Sequence, residues 1–193
     1  EKGYALLVVD TGHSHADLTN EYASIPMEME RVARLFGENK LRNVTDFEVL
    51  EKVGLVRTKA GDRALLRSLH FFDENERVDK IVEAIEKNDF EAYLDIVKRS
   101  GDSSFKYLQN CFSVSNPYVQ SISLALYLTE KFIDEERVLG ACRVHGGGFA
   151  GTIQAYIPAN EVSRYIGIIE KVFGNERVIS VQLREIGTTQ VDL

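Results

Sequence analysis

Leu139 to Pro158 reads LGACRVHGGGFAGTIQAYIP, and its centre is Gly146-Gly147-Gly148-Phe149-Ala150-Gly151. Glycines at this density make the backbone permissive to positive φ and to close approach by another molecule. Successive N–H groups in such a loop form a nest that accepts an anion, most often phosphate. Before the loop, Cys142 and Val144 alternate with Arg143 and His145; after it, Ile153, Ala155 and Ile157 alternate with Thr152, Gln154 and Tyr156. Both flanks have the period of two expected of half-buried strands, so the loop joins two strands. A Walker loop is excluded, because no Lys-Ser/Thr follows and no helix begins. A dinucleotide fingerprint is excluded for want of the strand–turn–helix context. A plain hairpin turn without a ligand is the alternative at this point.

Upstream, Tyr4 to Val9 (YALLVV) is a continuous apolar run, the mark of a central strand covered on both faces. A polar stretch follows, with His13, His15, Asp17 and Tyr22; the H-x-H pair has no third ligand nearby, and no metal site is assigned. The pattern predicts a helix from about Pro26 to Phe36, and a short one capped by Thr45 and Glu48 and stopped by Gly54. A long helix is expected over Asp62 to Ile85, and another after Asn88. Ser100 to Ser104 reads as a Ser/Gly turn. Asn116-Pro117 opens a helix to about Ile133, and Asn160 caps one that ends at Gly174. Val178 to Glu185 alternates as a last strand, with Ile179, Val181 and Leu183 on one face. The order of strand, several helices, strand, loop, strand, helix, strand is α+β, a ferredoxin-like split β-α-β-β-α-β plan with extra helices in the first crossover. It predicts a four-stranded antiparallel sheet with helices on one face.

The 193 residues suffice for one well-cored domain, and 44% hydrophobic residues support a folded globule. A net charge of −7 argues against a general nucleic-acid or anionic-membrane surface, though not against a local phosphate site. No run approaches the ~18 apolar residues of a membrane span, and no signal peptide is evident. Cys111 and Cys142 form no metal-ligand spacing; reduced thiols in a cytoplasmic protein are the simplest reading. The chain opens at Glu1, without Met, almost directly into a strand, as expected of a piece of a longer polypeptide.

GACRVHGGGFAGTIQAYIP resembles the third, glycine-rich motif of the GHMP kinases, and most closely that of the galactokinases. Gly140, Ala141, Arg143, Gly146, Gly147, Gly148, Phe149 and Gly151 fit its pattern; His145 stands where Thr is usual and Ala150 where Gly is usual. The segment from His15 to Tyr22 resembles the stretch that follows the same strand in galactokinases, with His15, Leu18, Glu21 and Tyr22 fitting and the paired arginines that follow absent. In that family the tyrosine of the segment hydrogen-bonds the sugar, so the resemblance implies this role for Tyr22. It implies a phosphate or active-site loop at Gly146, Gly147, Gly148, Phe149 and Gly151. His70 and Glu74 fit a His-x-x-x-Glu element, with a packing and hydrogen-bonding role.

The resemblance covers essentially the whole chain, 1–193, as the C-terminal domain of a two-domain kinase. The family's sugar-gripping Gly-x-Gly-Glu-His and phosphate-holding Gly-Leu-x-Ser-Ser-Ser motifs do not occur in the chain. No catalytic residue is therefore assigned; Asp10, Asp17 and Asp102 read as turn or cap residues. The whole protein is expected to use ATP and Mg²⁺ to phosphorylate galactose or a related sugar, with its own N-terminal domain as partner and the chain alone inactive. The alternatives are a non-catalytic sugar-sensing or regulatory relative and another GHMP small-molecule kinase.

Overall fold

The sheet is assembled from segments near the two ends of the chain. In the computed structural model, which describes residues 3–12, 18–149 and 151–183, β1 (Tyr4–Asp10) lies between β3 (Thr152–Pro158) and β4 (Val178–Val181). The short β2 (Ala141–Val144) pairs with the other side of β3. The order β2-β3-β1-β4, antiparallel throughout, is the split plan that the sequence predicts, with β1 central.

Register decides what the sheet buries. Leu7 faces Ala155 and Val9 faces Ile153, while Val144 also faces Ile153. These residues share one face, and Leu7, Val9, Ile153, Ala155 and Ile157 have no exposed surface. Two helices cover that face, α6 (Ser121–Glu136) and α7 (Val162–Phe173), through Ile122, Ala125, Phe132, Tyr165 and Ile169. Within this core the Tyr165 and Thr129 hydroxyls satisfy one another at 2.7 Å, which spares the cost of burying either alone.

The opposite face is not bare. The helix α5 (Phe90–Ser103) lays Leu94 and Val97 over Ala141 and Tyr156. Gly101 makes the approach possible, since a Cβ there would stand 3.0 Å from the Cys142 carbonyl. Helices on both faces depart from the one-sided arrangement expected. The first crossover is long enough to build a second core from α1 (Thr19–Arg34), α2 (Asp46–Glu51), α3 (Val53–Ala60) and α4 (Asp62–Glu86), with Val32, Val49, Val56 and Ala64 fully buried. Over β1 and β4, α5 leaves an apolar groove of about 520 Å³ lined by Tyr4, Leu6, Ile85, Phe90 and Val181. The last strand is shorter than expected: β4 ends at Val181, Gln182 and Leu183 lie beyond it, and Ile179 is 54% exposed.

Several boundaries differ from the sequence reading. The first helix begins at Thr19, with Pro26 inside it. The Thr45–Glu48 capping box is present, yet Gly54 lies within α3 rather than ending a helix. Asp89, not Asn88, caps α5, because Asn88 takes φ +56. Ser100 to Ser103 are helical, followed by a π-helical turn at Ser104–Leu108. Asn116-Pro117 forms a turn ahead of α6. Asn160 donates to the Glu161 carboxylate within a 3-10 turn instead of capping α7. Glu185, in the expected last strand, lies outside the described residues.

Ile153→Ala should cost about 2–5 kcal/mol in urea unfolding, as large-to-small changes in a closed core do. Ile179→Ala, on the open side of the edge strand, should cost about 1 kcal/mol or less.

Candidate functional site

Tyr22 stands on the first turns of α1, and Glu21 beside it fastens that end of the helix. The Glu21 carboxylate accepts from the Ser113 hydroxyl at 2.5 Å, the Val114 N–H at 3.1 Å and the Ser115 N–H at 3.4 Å. Burial alone would raise this carboxyl; the hydrogen bonds from Ser113, Ser115 and Val114 outweigh it and hold the group below its ordinary value. This anchor explains why the helix starts seven residues before Pro26 and passes through it.

The glycine loop lies against that turn. The Tyr22 hydroxyl donates to the Gly148 carbonyl at 2.8 Å, and its ring meets Phe149 edge-on at 5.4 Å. A Cβ on Gly147 would stand 2.6 Å from the Tyr22 ring. From the other side Asn110 Nδ2 donates to the Gly147 carbonyl at 3.1 Å, and the Asn110 carbonyl accepts the Phe149 N–H at 2.5 Å. The Gly151 carbonyl takes both the N–H and the hydroxyl of Thr11, each at 2.8 Å. The loop thus has a buried root, Gly148 and Phe149, and an exposed tip, Gly146 and Gly147. Among the described residues, no hydrogen bond is donated by the N–H groups of Gly146 and Gly147. Two adjacent donors at an exposed tip suit an anion.

Gly146, Gly147, Gly148, Phe149, Gly151 and Tyr22 are therefore brought to one place from opposite ends of the chain. Curated relatives are similar to this sequence over most of its length. A galactokinase of Actinobacillus pleuropneumoniae serotype 5b is 30% identical over 167 residues, 86% of this chain and 41% of its own. One from Thermosipho africanus is 29% identical over 154 residues, 79% of this chain and 38% of its own. The chain is homologous to the C-terminal part of galactokinases. It spans about two fifths of the length of these relatives. The crystal structure of Lactococcus lactis galactokinase complexed with galactose superposes with a TM-score of 0.68 at 16% identity, over 93% of this chain and 44% of that one. The fold is that of a GHMP kinase C-terminal domain. The chain matches no protein-family model.

Two polar clusters set the supports of the site. Arg67, on α4 and 1% exposed, donates to the Leu108 carbonyl at 3.0 Å, to the Ser24 hydroxyl at 2.8 Å and to the Glu28 carboxylate at 2.9 Å. It joins the helix of Tyr22 to the π-helical turn that precedes Asn110. Burial pulls its pKa down, against the opposing charge of Glu28. In the second cluster Glu74 holds Arg77 at 2.7 Å and Arg143 at 3.2 Å, and His70 Nδ1 lies 2.9 Å from the Ser103 hydroxyl. His70 and Glu74 thus have the packing and hydrogen-bonding role expected of them.

Asp10 is tied to the Gly12 N–H and to Arg177, as befits a turn residue. Asp102 pairs with Lys106 at 3.4 Å. His13, His15, Asp17 and Ala150 lie outside the described residues. No helix of the described residues is long and apolar enough to cross a membrane. Sequence reasoning missed Asn110, Glu21 as an anchor, and Arg67. The signals were slight: an Asn ahead of a Ser-x-Ser, and a lone Arg among the apolar positions of a helix.

Arg67→Met should cost about 3–5 kcal/mol in stability, because Glu28 stays buried with one partner fewer. A second expectation concerns acid. Burial pushes the His70 imidazole down to about 4; Glu74 opposes the shift, and Arg77 and Arg143 add to it. The unfolded chain, with an ordinary value of 6.5, takes up the proton first on acidification. The stability that His70 contributes is therefore whole above 6.5 and drains away as pH falls toward 4, by about 3 kcal/mol in all. His70→Gln should flatten that slope when urea midpoints are compared between about pH 7 and about pH 5.

Proposed function

We propose that the protein carrying this chain is an ATP-dependent, galactokinase-like sugar kinase, and that the chain is its C-terminal domain. The observation that carries this reading is the meeting of Tyr22 with the glycine loop across more than a hundred residues of sequence, at a tip whose two N–H groups donate no hydrogen bond among the described residues. The reaction passes the γ-phosphoryl group of ATP to the anomeric hydroxyl of galactose or a related sugar. Such a transfer needs positioning and charge stabilisation more than covalent chemistry from the protein. The Gly146 and Gly147 N–H groups meet phosphate oxygens and share their charge. The Tyr22 oxygen, which accepts as well as donates, meets a sugar hydroxyl. Mg²⁺ and the remainder of ATP are held by an N-terminal domain that carries the sugar-gripping and serine-rich motifs, so the chain alone is inactive. The buried free cysteines, with Cys111 pushed up to about 12 by burial, fit a reducing cytoplasm.

ADP release is the test. The intact protein should turn over with galactose, and residues 1–193 alone should not. Turnover by the isolated chain overturns the two-domain division, and an inert, well-folded intact protein favours a sugar-sensing relative. In the intact protein Tyr22→Phe should raise the sugar KM roughly 2- to 12-fold, the worth of one neutral hydrogen bond. Gly147→Val drives a side chain into the Tyr22 ring and should lower kcat/KM at least ~10-fold, or about 1.4 kcal/mol, with a much smaller change in Tm. Unchanged kinetics in both variants would remove this corner from the active site.

A further inference from the structure

We propose that Asn110 is a positioning residue of the phosphate loop: its side-chain amide holds the loop in shape before ATP arrives. The inference rests on the kinase reading above, and it concerns a residue outside the glycine motif.

Asn110 is 2% exposed and reaches the loop from 37 residues earlier in the chain. It grips on both sides of Gly148, through Nδ2 to the Gly147 carbonyl and through its own carbonyl to the Phe149 N–H. Gly148, at φ +79, has no room for a side chain, since a Cβ would stand 2.1 Å from the Asn110 carbonyl. Phe149, at φ +61, takes a backbone conformation that non-glycine residues disfavour, and it does so buried. An outlier of this kind persists only where its surroundings fix it, and such outliers cluster at ligand clamps. Here Asn110 fixes the backbone and Tyr22 fixes the ring.

The amide acts through its donor. Asn110 Oδ1 is buried and has no hydrogen-bond partner among the described residues, whereas Nδ2 is engaged with the loop. The backbone that delivers the residue is itself set by specific contacts. A π-helical turn, Ser104–Leu108, leads into Gln109 at φ +58, and Arg67 pins the Leu108 carbonyl. π-Helical turns are frequent at functional sites. Without the Asn110 tether a glycine-rich tip spreads over many conformations, and binding a phosphate must then order it. With the tether that ordering precedes the ligand.

The experiment compares Asn110→Ala and Asn110→Asp with wild type in the intact protein. Asn110→Ala should lower kcat/KM for ATP by about 10-fold and leave the KM for galactose within about 2-fold. Asn110→Asp keeps the shape but turns an acceptor toward the Gly147 carbonyl, so near neutral pH it should lose more than Asn110→Ala. Its activity relative to wild type should recover as pH falls, because a protonated carboxyl donates again. A packing role ranks the two variants the other way and gives a ratio independent of pH; that ranking, or both variants within about 2-fold of wild type, overturns the proposal. A protein that turns over no sugar refutes the kinase reading alone. Amide hydrogen exchange then decides on Asn110, and it also serves if Asn110→Asp fails to fold. The Phe149 N–H should exchange at least about 10-fold faster in Asn110→Ala than in wild type, and equal rates overturn the proposal.

Discussion

The buried guanidinium of Arg67 ties together three pieces of chain by directed hydrogen bonds, which the apolar core between α1 and α4 cannot supply. Its hydrogen bonds reach Ser24 and Glu28 on the helix of Tyr22 and the Leu108 carbonyl just ahead of Asn110. Isolating such a charge from water is costly, and only the full set of partners offsets the cost. Arginine suits the place because its planar fork donates in several fixed directions at once. Tyr22 and Asn110, which touch the glycine loop from either side, thus share a support in this one side chain. Glu21 repeats the device on the other side of Tyr22, with a carboxylate accepting from Ser113, Val114 and Ser115.

The sheet was legible in the sequence because one face of it is closed. Where Ile153, Ala155 and Ile157 must all point inward, a period of two is imposed on β3 and can be read back from it, while β1 reads as a continuous apolar run. The glycine loop was legible for a related reason: Gly147 and Gly148 sit where any side chain would collide with Tyr22 or Asn110. The anchors were not legible. An Asn, an Arg or a Glu carries no periodicity, and what each does depends on partners tens of residues away. The helix through Pro26 and the helical Ser100–Ser103 were misread for a different reason. There tertiary contacts override local preference: Glu21 holds one helix start, and Gly101 is small so that α5 can press on β2.

Polar groups around the loop fall mostly into two kinds, apart from buried oxygens such as Asn110 Oδ1 that have no partner among the described residues. Those that fasten elements, such as Glu74 with Arg77 and Arg143, satisfy one another inside the protein. Those left open lie at the loop tip, where Gly146 and Gly147 face solvent. Hydrogen-bonded clusters thus flank a short stretch of backbone whose N–H groups stay open among the described residues.

The position of β1 at the centre of the sheet also shapes how the chain comes to be folded. Its partners are β3, where Tyr4 meets Pro158, and β4, where Leu6 meets Val181. A ribosome adding about 5–20 residues per second needs roughly 8–30 s to pass from the first of these strands to its first partner. Through that interval YALLVV is an apolar strand with both edges open, while the helical crossover between α1 and α5 can already collapse on its own core. Vectorial synthesis thus makes the helical layer early and the sheet late. An apolar strand at the centre of the sheet waits through most of the domain's synthesis for its cover.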